Sequence, residues 1–320
     1  MLKIKITTKD SNQRLDKFLN KKLKISRSQV KKIIQAENII INNKVAVASY
    51  ILKNNDLLIE SKFCDKLTST DLKKIEPKII HETEDYLVIN KPNGLIIHPS
   101  EDSNDNQVIK NFQAKKERYY LTYWLEKKYP KIKKIGDNPI RPGIVHRLDK
   151  EVSGLMVIAK KQKSFDSLKK QFKKREVKKE YTCLVYGQVS KLKDEIIFPI
   201  KRAASGKMSA IPFLETKFLA KNANTRFEIL KKFINYTLLK VVIKTGRTHQ
   251  IRVHMLAYGH PVVGDNLYST KRTRDRNKKI TLPRIFLAAT KLGFKDLDDV
   301  DQKFKLDLPK NLKDFLKEIK

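Results

Sequence analysis

The sequence predicts an α+β protein in two parts. Residues 1–60 form a small basic domain, 61–76 a linker, and 77–320 a larger domain around a mixed, largely antiparallel sheet with flanking helices. Three observations carry this expectation. Residues 14–60 pass from helical to strand periodicity. Residues 61–76, "SKFCDKLTSTDLKKIE", are polar and lack a period. From Pro77 onward, short apolar runs bounded by turn residues dominate.

In the front part, Leu15, Phe18, Leu19 and Leu23 fall on one helical face. "SRSQVKKIIQ" predicts a second helix, with Ser26 and Gln29 as a capping box. Val30, Ile33 and Ile34 would face inward, and Arg27, Lys31 and Lys32 outward. "NIIINNKVAVASYILKNNDLLIE" reads as short strands joined at Asn-Asn turns, where Asn tolerates left-handed backbone.

In the rear part, "KIIHETEDYLVINKPNGLIIHP" predicts three strands, with Pro92-Asn93-Gly94 as a type II turn. Residues 105–135 are expected to be helical. Between Ile144-Val145 and the buried-strand pattern 155–159 lies a charged knot, His146 to Glu151, with Ser153-Gly154 as its turn. Ionisable groups at the ends of buried strands are where sites are often built. The strand "YTCLVYG" follows a basic helix end. In "KTGRTHQIRVHMLAYGHPVVGD", Gly246 is a turn, Thr248 an expected N-cap and Gly259 a helix stop. His249 and Arg252 are then three apart on one helical face. A cation in a first helical turn opposes the helix dipole, so an anion is expected beside Arg252. Leu312, Phe315, Leu316 and Ile319 predict a C-terminal helix.

The chain carries 70 Lys+Arg against 35 Asp+Glu, a net charge of +35. That excess points to a polyanionic partner, nucleic acid before an anionic membrane. No window approaches the ~20 apolar residues of a membrane span, and the N-terminus lacks a signal-peptide core, so a cytoplasmic protein is expected. Cys64 and Cys183 show neither metal-ligand spacing nor a disulfide framework, which suits a reducing compartment. Histidines 146, 249 and 254 with Asp149 leave a metal-dependent nuclease open. Magnesium sites usually want several carboxylates, and Glu151 is the only other acid near Asp149.

Two groups of motifs carry a family resemblance. "RLDKFL", "SRSQVKKII", "INNKV" and "NNDLLIE", in that order, resemble the S4 RNA-binding domain. "GIVHRLDKEVSGLMVIAK", "KEYTCLVYG" and "TGRTHQIRVHM" followed by "GHPVVGD" resemble the signature blocks of the RluA-type pseudouridine synthases. With the S4-like front, the layout is similar to the ribosomal large-subunit types C and D. The chain departs from the pattern at Ala288 and at the basic insertion "STKRTRDRNKKIT", residues 269–281.

The resemblance implies the pseudouridine synthase fold and conversion of uridine in RNA to pseudouridine. The implied partner is 23S-type ribosomal RNA or a large-subunit precursor. It also implies no metal, no organic cofactor and action as a monomer. By motif, Asp149 is the implied catalytic carboxylate and Arg252 its partner. Tyr181 is the aromatic that packs on the base, with a further implied part in removing the C5 proton, and Arg147 fills the gap left by the extruded nucleotide. Arg247 and His249 are implied RNA contacts in the cleft, with Arg27 and Lys31 on the front module. A non-catalytic RNA-binding protein is the other reading.

Overall fold

The computed structural model describes residues 3–23, 30, 34, 39–42, 44–60, 75–98, 120–211 and 220–320. They fall into two compact units, divided after Lys74.

In the first unit, helix α1 (Leu15–Leu23) buries Leu15, Phe18, Leu19 and Leu23, as the periodicity predicts. It packs on an antiparallel sheet of order β1-β4-β2-β3, from Lys3–Lys5, Leu57–Glu60, Ile39–Ile41 and Lys44–Val45. Val30 and Ile34 join this core. Asn42 and Asn55 adopt φ of 47° and 70°, which bears out the turn reading. The Asn42 side chain donates to buried Asp56 at 2.7 Å and so ties the two turns together. The predicted capping box, Arg27 and Lys31 lie outside the described residues.

The second unit is a nine-stranded sheet of order β5-β6-β7-β14-β8-β13-β12-β9, with β15 pairing β14. The central strands are β6 (Tyr86–Lys91), β7 (Ser153–Ala159), β14 (Leu287–Lys295), β8 (Lys178–Tyr186) and β13 (Tyr236–Ile243). The outer ones are β5 (Lys78–Glu82), β12 (Thr225–Lys232), β9 (Lys193–Ile196) and β15 (Asp301–Lys305). All pairings are antiparallel except β7 with β14. A separate hairpin joins β10 (Ile200–Arg202) to β11 (Met208–Ala210).

One core packs helices α2 (Leu121–Lys128) and α4 (Gln250–Ala257) against the sheet. Two others pack α3 (Gln162–Lys174) and α6 (Lys310–Glu318). Every residue of β7 is buried, as its unbroken apolar run predicts. Leu312 and Phe315 anchor the C-terminal helix.

Four local expectations are corrected. Ser153-Gly154 is not a turn but the start of β7. A Cβ on Gly154 would stand 2.1 Å from the Ala289 carbonyl, so the glycine permits β14 to approach. The third strand predicted after Gly94 is only an isolated bridge, Ile96 with Tyr120. Within the described part of 105–135, α2 stops before Pro130 and a 3₁₀ turn (Pro130–Lys134) follows. Thr248 does not cap α4. His249 takes the N-cap position, in left-handed conformation with φ of 56°. The cause is Gln250, whose side-chain oxygen accepts from Arg247 N at 3.1 Å and from Thr245 Oγ1 at 2.7 Å, closing the loop from inside.

Candidate active site

The charged knot is held from both sides. Behind it, His146 Nε2 accepts from Val157 N at 3.0 Å and the ring stacks on Phe172. Burial pushes His146 down to about 3, so the imidazole is neutral. In front, Gly94 N donates to Lys150 O at 2.8 Å. Fully buried Lys91 sends its ammonium to the carbonyls of Pro92, Leu95 and Lys150 at 2.9, 2.8 and 3.2 Å. The Pro-Asn-Gly turn is thereby fastened to the backbone beside Asp149. Gly94, at φ of 90°, is the left-handed residue that turn requires. Burial pushes Lys91 down to about 7, against the pull of the Asp149 charge.

Helix α4 brings Arg252 beneath Asp149. The guanidinium is almost wholly buried and is shared among three carboxylates. Asp265 takes a bidentate pair, Nε to Oδ2 at 2.7 Å and Nη2 to Oδ1 at 3.0 Å. Nη1 reaches Asp149 Oδ2 at 3.4 Å and Glu151 Oε2 at 3.3 Å. Burial works against this cation, but the hydrogen bonds and charge of Asp265 keep it protonated. Asp265 is 0% exposed and also accepts the backbone N–H groups of Leu267 and Tyr268, each at 2.9 Å. Asp149 is the outward member of the pair, with its side chain 18% exposed. Arg252 thus has a buried, bidentate partner in Asp265 and a longer, partly exposed one in Asp149. Among the described residues no group of three or more His, Cys, Asp or Glu side chains is arranged to hold a metal ion.

A second chain of bonds reaches Asp149 from the other side. Met208 N donates to the Tyr268 hydroxyl at 3.2 Å, and that hydroxyl lies 2.8 Å from His249 Nδ1. The other ring nitrogen, His249 Nε2, faces Asp149 Oδ1 at 3.9 Å. Burial lowers His249 below its ordinary value although Asp149 pulls the other way, which suits a neutral ring.

Arg147, Asp149, Tyr181, Arg247, His249 and Arg252 line one cleft, so the structure assembles six of the residues singled out by sequence. Arg147 donates to His98 Nε2 at 3.2 Å, and Arg247 Nε donates to Asn222 O at 3.1 Å. Tyr181 is buried in the cleft wall. Burial and then the Asp149 charge push its phenol up, so it stays protonated. His254 is a buried hydrogen-bonder, between Thr225 Oγ1 and Phe198 O. Asp265, Lys91 and Tyr268 carry the geometry without having been singled out. Asp265 closes the quoted block "GHPVVGD", and a buried arginine demanding an anion was the signal that could have found it.

Comparison with known proteins agrees with this geometry. Residues 85–257 match the RNA pseudouridylate synthase family, and residues 13–58 match the S4 domain. The chain is 35% identical over 264 residues to a ribosomal large subunit pseudouridine synthase D of Blochmanniella floridana, covering 81% of this chain and 76% of that one. It is also 35% identical over 299 residues to a ribosomal large subunit pseudouridine synthase C of Buchnera aphidicola, covering 88% and 86%. Among solved structures, human RNA Pseudouridylate Synthase Domain Containing 4 superposes with a TM-score of 0.56 at 22% identity, covering 81% of this chain and 99% of that one. That likeness concerns the fold.

Proposed function

The chain belongs to the RNA pseudouridylate synthase family, and from that premise we propose that it converts uridines of large-subunit ribosomal RNA to pseudouridine, with Asp149 as the catalytic carboxylate. One observation supports this reading above the rest. A partly exposed carboxylate stands at the mouth of a cleft, on a guanidinium already neutralised from behind by Asp265. A carboxylate in a partly dry site tends to take up a proton, and a fixed neighbouring cation opposes that. Because Asp265 carries the structural pairing, Asp149 is free to change partners during the reaction.

The reaction is an isomerisation. The N1–C1′ bond breaks, the uracil turns in the cleft, C5 bonds to C1′, and the C5 proton is lost while N1 gains one. Two routes start from Asp149: addition of the carboxylate to C1′, and removal of a ribose proton. Both need it ionised, and both need it within reach of the ribose. A uridine inside a paired stem must be flipped out, at a cost of a few kcal/mol. Arg147, beside His98, would fill the vacated stack. Tyr181, in the cleft wall, serves as the surface on which the base packs. The S4 unit, residues 1–60, supplies affinity for the RNA backbone, and residues 77–320 supply the chemistry.

Incubating the protein with large-subunit RNA and mapping pseudouridine at nucleotide resolution tests this reading. New pseudouridine at discrete positions is the expected result. RNA that is bound yet unconverted under all conditions would favour a non-catalytic binding protein.

A further inference from the structure

The basic insertion, residues 269–281, is a second element that the chemistry above does not use. It folds into helix α5 (Lys271–Asn277), closed at its start by reciprocal bonds between Thr270 and Thr273. Of its seven residues four are cations and one is an acid, and that acid, Asp275, is taken by Lys278 at 2.9 Å. Lys271, Arg272 and Arg274 are exposed; Asp275 is the one acid on their helix, and Arg274 donates to Ser269 Oγ and to Ser269 O, each at 3.4 Å. Lys271 and Arg272 also stand in the first turn, where the helix dipole disfavours cations.

Its far end, by contrast, is fixed with care. The Asn277 side-chain amide makes four hydrogen bonds. Its oxygen accepts from Gly264 N at 2.9 Å and from the Tyr186 hydroxyl at 2.7 Å. Its nitrogen donates to Asp265 O at 3.0 Å and to Asn266 Oδ1 at 3.1 Å. Arg276 lies over the Tyr186 ring. The clamp therefore grips the backbone of Asp265, the residue that holds Arg252 under Asp149. A short run of outward cations is held in fixed register with the catalytic carboxylate.

We propose that α5 is an RNA-contact surface, in which Lys271, Arg272 and Arg274 bind phosphates of the strand that flanks the target uridine. This rests on the reading of the chain as an RNA-modifying enzyme. The surface offers cations and no exposed aromatic ring, so it would position the backbone without reading bases. Spanning about 10 Å, at about 1.5 Å per residue, the helix is long enough to meet successive phosphates.

The test is RNA affinity across a salt series for wild type and for K271Q/R272Q/R274Q, with K163Q/K170Q/K173Q on exposed positions of α3 as the equal-charge control. Each lost phosphate contact flattens the slope of log K against log salt by about 0.7–0.9. The α5 variant should therefore lose about 2–2.7 from its slope. Its deficit relative to wild type should shrink by roughly 20–40-fold between 50 and 200 mM salt. The α3 control should change the slope by less than one contact. Melting temperature should stay at the wild-type value in both variants, and the α3 control should also keep the wild-type single-turnover rate at saturating RNA. Equal slopes for the two variants would overturn the proposal, because the cations would then act only through net charge. Loss of binding to anionic vesicles with an unchanged RNA slope would overturn it in favour of a membrane surface. Pseudouridine formation by wild type, scored on the same RNA, separates failure of this proposal from failure of the catalytic reading.

Discussion

Replacing Arg252 by Met should damage both stability and catalysis, and the structure gives the size of the effect. Arg252 and Asp265 are 3% and 0% exposed, and they meet through two bonds of 2.7 and 3.0 Å. Removing the guanidinium leaves Asp265 as an uncompensated buried anion. Breaking a buried pair from one side costs about 3–5 kcal/mol. The Glu151 contact adds little, because its side chain is 46% exposed and screened by water. At about 2–4 °C per kcal/mol for a domain of this size, the melting temperature should fall by about 6–20 °C. Single-turnover pseudouridine formation should fall as well, since Asp149 loses its cation. Arg252→Lys should recover only part of both, because an ammonium cannot span Asp265 in two-pronged fashion and still reach Asp149. Thermal melting and single-turnover rates at saturating RNA, for wild type and both variants, make the check. A Met variant with wild-type melting temperature and rate would refute the pairing.

Lys91 predicts a pH dependence. Its folded value, about 7, lies below its ordinary 10.5. Between those values the unfolded chain holds a proton that the folded chain has released, so this group's contribution to stability falls as pH is lowered through that window. Wild type should therefore gain stability relative to Lys91→Met from pH 7 to 9, by up to roughly 1.4 kcal/mol per pH unit. Parallel pH profiles in urea denaturation would contradict this. Tyr268→Phe removes the hydroxyl between Met208 N and His249 and leaves the imidazole Nδ1 without that partner. The catalytic step should slow by about the worth of one hydrogen bond, ~1 kcal/mol, with RNA affinity unchanged. Equal rates for both proteins would remove the bond chain from the account. Gly154→Ala should prevent folding of the rear unit, because the new methyl would meet the Ala289 carbonyl at 2.1 Å. A soluble variant with the wild-type melting temperature would show that the β7–β14 seam can yield.

Much of this was legible in the sequence because periodicity reports burial. The unbroken run 155–159 becomes a strand covered on both faces, and Leu15, Phe18, Leu19 and Leu23 become the buried face of a helix. The Asn turns were legible because Asn42 and Asn55 need left-handed backbone that few other residues tolerate. The errors share a cause: local rules yielded to contacts distant in sequence. Ser153-Gly154 looks like a turn, but its glycine answers to Ala289 on another strand. Thr248 looks like a cap, but the Gln250 side chain had already closed that loop. Arg252 was correctly expected to need an anion. The sequence pointed to Asp149, whereas the shorter, bidentate partner is Asp265, and no spacing rule links those two positions.

The central claim is that the Asp149 carboxylate does the chemistry and does little of the binding. It is tested most directly by Asp149→Asn, assayed for pseudouridine at nucleotide resolution and for RNA affinity on the same substrate. Asn keeps the shape of the side chain and an oxygen for Arg252, while Asp265 keeps the guanidinium in place. The account predicts no pseudouridine at any position, with affinity and melting temperature close to wild type. Near-normal turnover by that variant would contradict it.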